Sequence, residues 1–204
     1  MSLSNKMNTG TQASTIVKEF EITNIMMTYT RTMMCCLLFI CSANAQDREI
    51  PEWFMNDLNM NVGVWQAENS QYMSDGEPFS HYVMEWTWGI GKTSIIGRLY
   101  GINNGEPTTD FWQFRQYWDN ENQKAILQQF GFNGVTGYGT ISPSGKNTTE
   151  AIQTFSLPDG RTWEERHLSE MNMDHHITTS FDKNEEGDWQ EKRTYRWERQ
   201  SEKK

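Results

Sequence analysis

The side chains of this sequence best suited to chemistry are four histidines, His81, His167, His175 and His176, and the acidic residues near them. His175 and His176 are adjacent, so on an extended strand they point to opposite faces and cannot hold one metal ion together. No His-x-Glu-His or comparably close spacing occurs, so no metal site is expected. In the run Glu164-Glu165-Arg166-His167, Glu165 and His167 stand two apart and would share a strand face, in reach for acid–base work. A solvated strand face gives the same alternation and is the preferred reading; Glu165 and His167 are kept as the catalytic candidates, with Arg115 beside Tyr117 as a second pairing. Beyond residue 45 there is no Gly-x-Ser-x-Gly and no phosphate-binding glycine loop. Pro143-Ser144-Gly145 is a turn with no helix after it, unlike a nucleophile elbow. Asn147-Thr148-Thr149 has the form of a glycosylation sequon but reads as a turn passing into a strand.

A second constellation is aromatic. Tyr82, Trp86, Trp88, Tyr100, Phe114, Arg115 and Tyr117, with Gln128, Phe130 and Tyr138, combine large rings with a few polar groups, as ligand pockets do. A core that simply fills itself with rings has the same composition, and both readings stay open. Parity bears on the choice. Tyr82, Met84, Trp86 and Trp88 alternate with His81, Val83, Glu85 and Thr87, and burying the even set removes more apolar area while leaving Glu85 in water. The even set is therefore expected to face inward. Tyr100 and an aromatic pair from residues 111–118 should join it, with Arg115 or Gln113 as a polar anchor. If the tryptophans faced outward together, they would mark a partner surface instead.

These side chains need a scaffold, and the pattern supplies strands. Residues 50–59, with Pro51 in the first turn and apolar Trp53, Phe54 and Leu58, read as a short helix. Strand-like stretches follow at 61–69, 81–89, 93–102, 109–118, 123–131, 135–142, 148–156, 162–170, 175–181 and 189–199. Turn-forming residues divide them, among them Asp119-Asn120-Glu121-Asn122, Asp159-Gly160 and the run from Asp182 to Gly187. About ten short strands joined by short turns make an antiparallel meander, which avoids exposed edges best by closing into an up-and-down barrel. A two-sheet sandwich would need long crossovers. The fold class expected is all-β, a single barrel preceded by a short helix.

Composition bounds the partners. The chain has 204 residues and a formal net charge of -9, which argues against nucleic acid and anionic membrane surfaces. The three cysteines, Cys35, Cys36 and Cys41, lie in one apolar run that begins after Arg31 and ends in Ser42-Ala43-Asn44-Ala45. The run is too short to span a bilayer and has the three parts of a secretory signal peptide. Residues 26–45 are read as that signal, cut between Ala45 and Gln46. Lipid attachment at Cys41 is disfavoured by bulky Ile40. Residues 1–25 precede a normal signal start at Met26 or Met27, and are read as a mis-assigned start or a disordered lead. The barrel domain then covers 46–199, a polar tail 200–204, and the destination is a bacterial periplasm or the exterior.

The segment Asn61-Val62-Gly63-Val64-Trp65 contains Gly-x-Trp at the first strand. With Asp75-Gly76-Glu77-Pro78, Tyr117-Trp118-Asp119, the glycine-rich stretch 131–139, Asp159-Gly160-Arg161 and Gly187-Asp188-Trp189, in that order, the chain resembles a bacterial family of lipocalin-like (calycin) barrels of unknown function. More distantly it is similar to the nitrobindins, which are haem-binding barrels. The resemblance implies that Trp65 plugs one barrel end and that Arg196 or Arg199 packs across its ring, a structural role. Through the nitrobindins it also offers haem on a single inward histidine as the alternative to no cofactor.

The expectation is an exported, non-catalytic barrel binding one small, partly apolar or aromatic molecule, with no cofactor. The alternatives are a barrel isomerase, cyclase or hydrolase, and a partner-binding structural module.

Overall fold

A computed structural model describes residues 49–201. The expected leader at 26–45 and lead at 1–25 lie outside the described residues, as do residues 202–204. The first element is helix α1, Glu52–Asn61, whose buried face carries Phe54, Asp57 and Leu58 at helical spacing. Pro51 stands just before the first turn, in an extended conformation that begins the helix two residues later than its sequence pattern suggests.

Eleven strands follow: β1 Gly63–Glu68, β2 His81–Trp88, β3 Ser94–Asn103, β4 Glu106–Pro107, β5 Trp112–Asp119, β6 Lys124–Gly131, β7 Thr136–Gly145, β8 Thr148–Ser156, β9 Thr162–Met171, β10 His175–Lys183 and β11 Trp189–Arg199. All pair antiparallel. Two-residue β4 only extends the outer end of β3, an addition too short for any periodicity to reveal. The other ten close a ring: β1 pairs with β2 and β11, β2 with β3, β3 with β5, and each later strand with the next. The protein is thus a closed ten-strand antiparallel meander behind one short helix, consistent with a calycin-like fold.

Close approaches fix the register. Trp86 stands opposite Gly97, and a Cβ on Gly97 would lie 2.5 Å from the indole. Gly139 faces Gln153 across β7 and β8, where a Cβ would come within 2.7 Å of the glutamine side chain. Gly97 makes room for the Trp86 indole to lie flat over its strand, and Gly139 for the close approach of the β8 backbone, where a Cβ would come within 1.9 Å of the Ile152 carbonyl oxygen. In β11 a bulge skips Lys192, so that Arg193 opposes Ser180 and Glu191 opposes Phe181.

The two barrel ends differ. Trp65, 1% exposed, sits under the C-terminal end of α1 and donates its indole N–H to the Asn61 carbonyl at 2.6 Å. Trp53 and Phe54 pack against Trp118 there, at ring separations of 6.4 and 5.9 Å. At the other end, the connection between β1 and β2 folds back against β11. Asn69, fully buried, donates to the Phe79 carbonyl and accepts from the Tyr195 hydroxyl at 2.7 Å.

Candidate functional site

Inside the barrel is a cavity of about 270 Å³. It is small beside drug-sized pockets, which run to roughly 300–1,000 Å³. One side is apolar, built by Met84, Trp86, Leu99, Trp112, Phe114 and Leu127 from β2, β3, β5 and β6. The facing side is mainly polar, with Gln153, Glu165, His167, Thr178, Ser180 and Arg193 from β8 to β11. The division follows the sequence: β9 alternates Trp163, Glu165, His167, Ser169 and Met171 on its inner face, so polar groups there cannot avoid the interior.

The inner wall carries polar atoms that no group among the described residues satisfies. Among the described residues, the side-chain carbonyl oxygens of Gln116, Gln129 and Gln153 are buried without a hydrogen-bond partner, as is Nε2 of His176. Gln153 donates its amide to the Leu127 carbonyl across Gly139, which leaves only its oxygen unmet. Buried polar groups are nearly always paired, because each unpaired one costs about 1–3 kcal/mol. Several orphaned polar atoms around one cavity therefore need an explanation.

Several ionisable groups on and beside the wall are shifted from their ordinary values. Burial pushes the Asp57 carboxyl up to about 7, against hydrogen bonds from Thr149 and Asn61. Burial, with the nearby Arg199 charge, brings His176 down to about 4. Burial likewise lowers His167, although Glu165 pulls the other way from 3.7 Å. Glu165 accepts a hydrogen bond from the Trp163 indole at 2.9 Å. Arg193 donates to both oxygens of Glu77, at 2.6 and 2.8 Å. Burial alone would raise the Glu77 carboxyl, but Arg193 and the Tyr82 hydroxyl together hold it below its ordinary value.

The sequence-based candidates divide cleanly. Trp86 and Phe114 line the cavity, as does the Glu165–His167 pair, which corrects the expectation of a solvated face for that pair. Trp88 is on the inner wall, packed into the core beyond the cavity. Tyr82 faces inward at the end covered by the β1–β2 connection, its hydroxyl bonded to Glu77. Tyr100, Arg115 and Tyr117 do not line the cavity. Tyr100 is on the outer face, donating to Glu85 at 2.9 Å beside the Glu85–Arg98 ion pair. Arg115 lies outside over the Tyr117 ring, with Gln113 on the same face. The physical reason is register: Trp86 opposite Gly97 forces the odd residues of β3 inward, and the even residues of β5 follow. The polar anchors on this side are instead Gln116 and Gln129, neighbours of Phe114 and Leu127 at the right parity. At the barrel end, Arg199 takes the place beside Trp65, while Arg196 points out and pairs with Glu198. Trp112, Arg193 and Glu77 were not singled out by sequence; Trp112 shares the parity of Phe114, whereas Arg193 and Glu77 meet across more than a hundred residues.

No protein-family model matches the sequence, and the curated proteins compared with it include no match.

Proposed function

We propose that this chain is an exported lipocalin-like barrel that holds one small amphiphilic molecule in its interior, without catalysis and without a cofactor. The observation that carries this is the two-sided cavity. An aromatic wall faces a polar wall, and glutamine acceptors on both are buried with no partner among the described residues. Lining so divided suits a ligand with an apolar body and a few donor groups. It suits a pure hydrocarbon poorly, because burying acceptors against hydrocarbon is unfavourable. The apolar run at 33–41 and the small residues after it support export. Native mass spectrometry of the protein purified from its own host tests the reading. A retained small molecule, lost on denaturation, is expected; an empty barrel that also fails to take up amphiphilic probes would overturn it.

One observation favours a second reading. Glu165 and His167 line the same cavity 3.7 Å apart, and burial keeps the imidazole neutral. A neutral histidine beside a carboxylate is suited to take a proton from a bound molecule, as an isomerase or hydrolase requires. The two readings part on the fate of the retained molecule, which is recovered unchanged from a carrier and as product from an enzyme.

A further inference from the structure

The charges on the cavity wall do not cancel. Five lining residues can carry charge: Asp57, Glu165, His167, His176 and Arg193. Arg193 is neutralised by its two bonds to Glu77. Asp57 is bonded to Thr149 and Asn61 inside the closed end, where burial favours its protonated form. The two imidazoles are both kept neutral by burial. Glu165 remains. Among the described residues no lysine or arginine forms an ion pair with it; its contacts are the Trp163 indole and the neutral ring of His167. Lys192 on β11 is bound to Asp182 at 2.8 Å. Arg199 is on the far side of Trp65 and bonds to backbone carbonyls.

Around Glu165 the wall offers acceptors. Gln153 stands directly opposite it on β8, with its side-chain oxygen orphaned. His167 is two residues along the same strand, on the same face. An ammonium group carries three donors and a positive charge, and this corner presents a carboxylate, an amide oxygen and a neutral imidazole nitrogen. Beyond it, Phe155 on the same wall and Trp112, edge-on to Phe155 at 5.8 Å, continue the apolar surface.

We infer that the ligand is cationic: an organic amine whose ammonium group docks at Gln153, Glu165 and His167, with its apolar body against the Trp86–Phe114 wall. This rests on the carrier reading above and names the chemical class that reading leaves open. A half-buried carboxylate with no cation costs free energy that an incoming ammonium recovers through a charge-assisted bond. The same carboxylate repels an anionic head group, so fatty acids and other carboxylates are rejected. The net charge of -9 acts in the same direction, drawing cations towards the protein and repelling anions.

Three probes of one skeleton test this: 4-phenylbutylamine, 4-phenylbutanol and 4-phenylbutyrate, titrated calorimetrically into the protein at pH 7.5. The amine should bind about tenfold or more tightly than the alcohol, equivalent to about 1.4 kcal/mol, and the carboxylate weakest of the three. Glu165→Gln, checked for folding by circular dichroism, should bring the amine-to-alcohol ratio close to one. A carboxylate that binds as well as the amine, or an amine preference that survives in Glu165→Gln, overturns the inference but leaves the carrier reading standing. If none of the three binds and the protein from its host is empty, the carrier reading itself fails. Should Glu165→Gln not fold, the ranking of the three probes on the unaltered protein decides the matter alone.

Discussion

The guanidinium of Arg199 lies 4.3 Å from the centre of the Trp65 ring, directly across the β1–β11 ladder. It donates to the carbonyls of Met60, Val62 and Met173, so it also caps the C-terminal end of α1. The His176 ring stacks on the other face of the indole at 3.7 Å. Trp65 is thus held between a cation and a neutral imidazole while its N–H reaches the Asn61 carbonyl. Trp65→Ala should destabilise the fold by roughly 3–5 kcal/mol in urea melts, the range for emptying a buried aromatic site. Arg199→Ala should cost less, about 1–2 kcal/mol, because the guanidinium is exposed at its rim. A loss under about 1 kcal/mol for Trp65→Ala would mean the ring is not the plug of this end.

Two buried groups close to that stack oppose each other in their response to pH. An unfolded His176 binds a proton below its ordinary value of 6.5, whereas the folded chain resists until about 4. Its contribution therefore weakens stability as the pH falls from 6.5 to 4. Folded Asp57 keeps its proton up to about 7, while the unfolded carboxyl loses it near 3.8. Its contribution weakens stability as the pH rises from 3.8 to 7. Each amounts to about 3–4 kcal/mol over its full window, so the two largely cancel. Asp57→Asn should leave a profile that climbs from pH 4 to 6.5, and His176→Phe one that declines from pH 4 to 7. Urea midpoints for the three proteins at pH 4.5 and 7 decide it; parallel profiles would show that these groups do not titrate as described.

Much of this architecture is legible in the sequence, and the part that is not has identifiable causes. Alternation in β2 sets its inner face, because Glu85 makes one parity far costlier to bury than the other. Gly-x-Trp places Trp65 at a barrel end. In β3 the pattern is silent: Ile95 and Leu99 on one face answer Ile96 and Tyr100 on the other, so apolarity does not choose. Only the steric match of Trp86 to Gly97 sends Tyr100 outward, and that match is a fact of pairing. β9 misleads for a related reason. Its inner face carries polar residues, so Glu165 and His167 look like a solvated face. The Glu77–Arg193 pair joins residues from opposite ends of the domain, and no local spacing announces it.

The histidines bear on cofactor content. His176 is pressed against Trp65, and His167 faces Glu165 across 3.7 Å, so both rings are already engaged within the protein. Purified protein is expected to show no Soret band and no stoichiometric zinc after dialysis. A Soret band that disappears in His176→Phe would overturn this and would require the Trp65 stack to open for haem.

The glutamines offer the sharpest separation of stability from function. Gln129 is 9% exposed, sits between Leu127 and Gly131 on the inner face of β6, and has an unpartnered carbonyl oxygen. If that oxygen served the fold, replacing it would weaken the fold. If it is kept for a ligand, the folded protein carries a penalty that leucine of similar shape removes. Gln129→Leu is therefore expected to be neutral or to stabilise by up to about 1 kcal/mol in the absence of ligand, while weakening amine or alcohol probes severalfold. Tyr100→Phe, on the outer wall, should leave probe binding as it was. Function drawn from strain of this kind is a familiar trade, since sites that bind well are often locally unsatisfied when empty. Thermal melts and calorimetry on Gln129→Leu measure both sides of it. A destabilisation above about 1 kcal/mol would assign Gln129 to the fold, and unchanged probe affinity would remove it from the site.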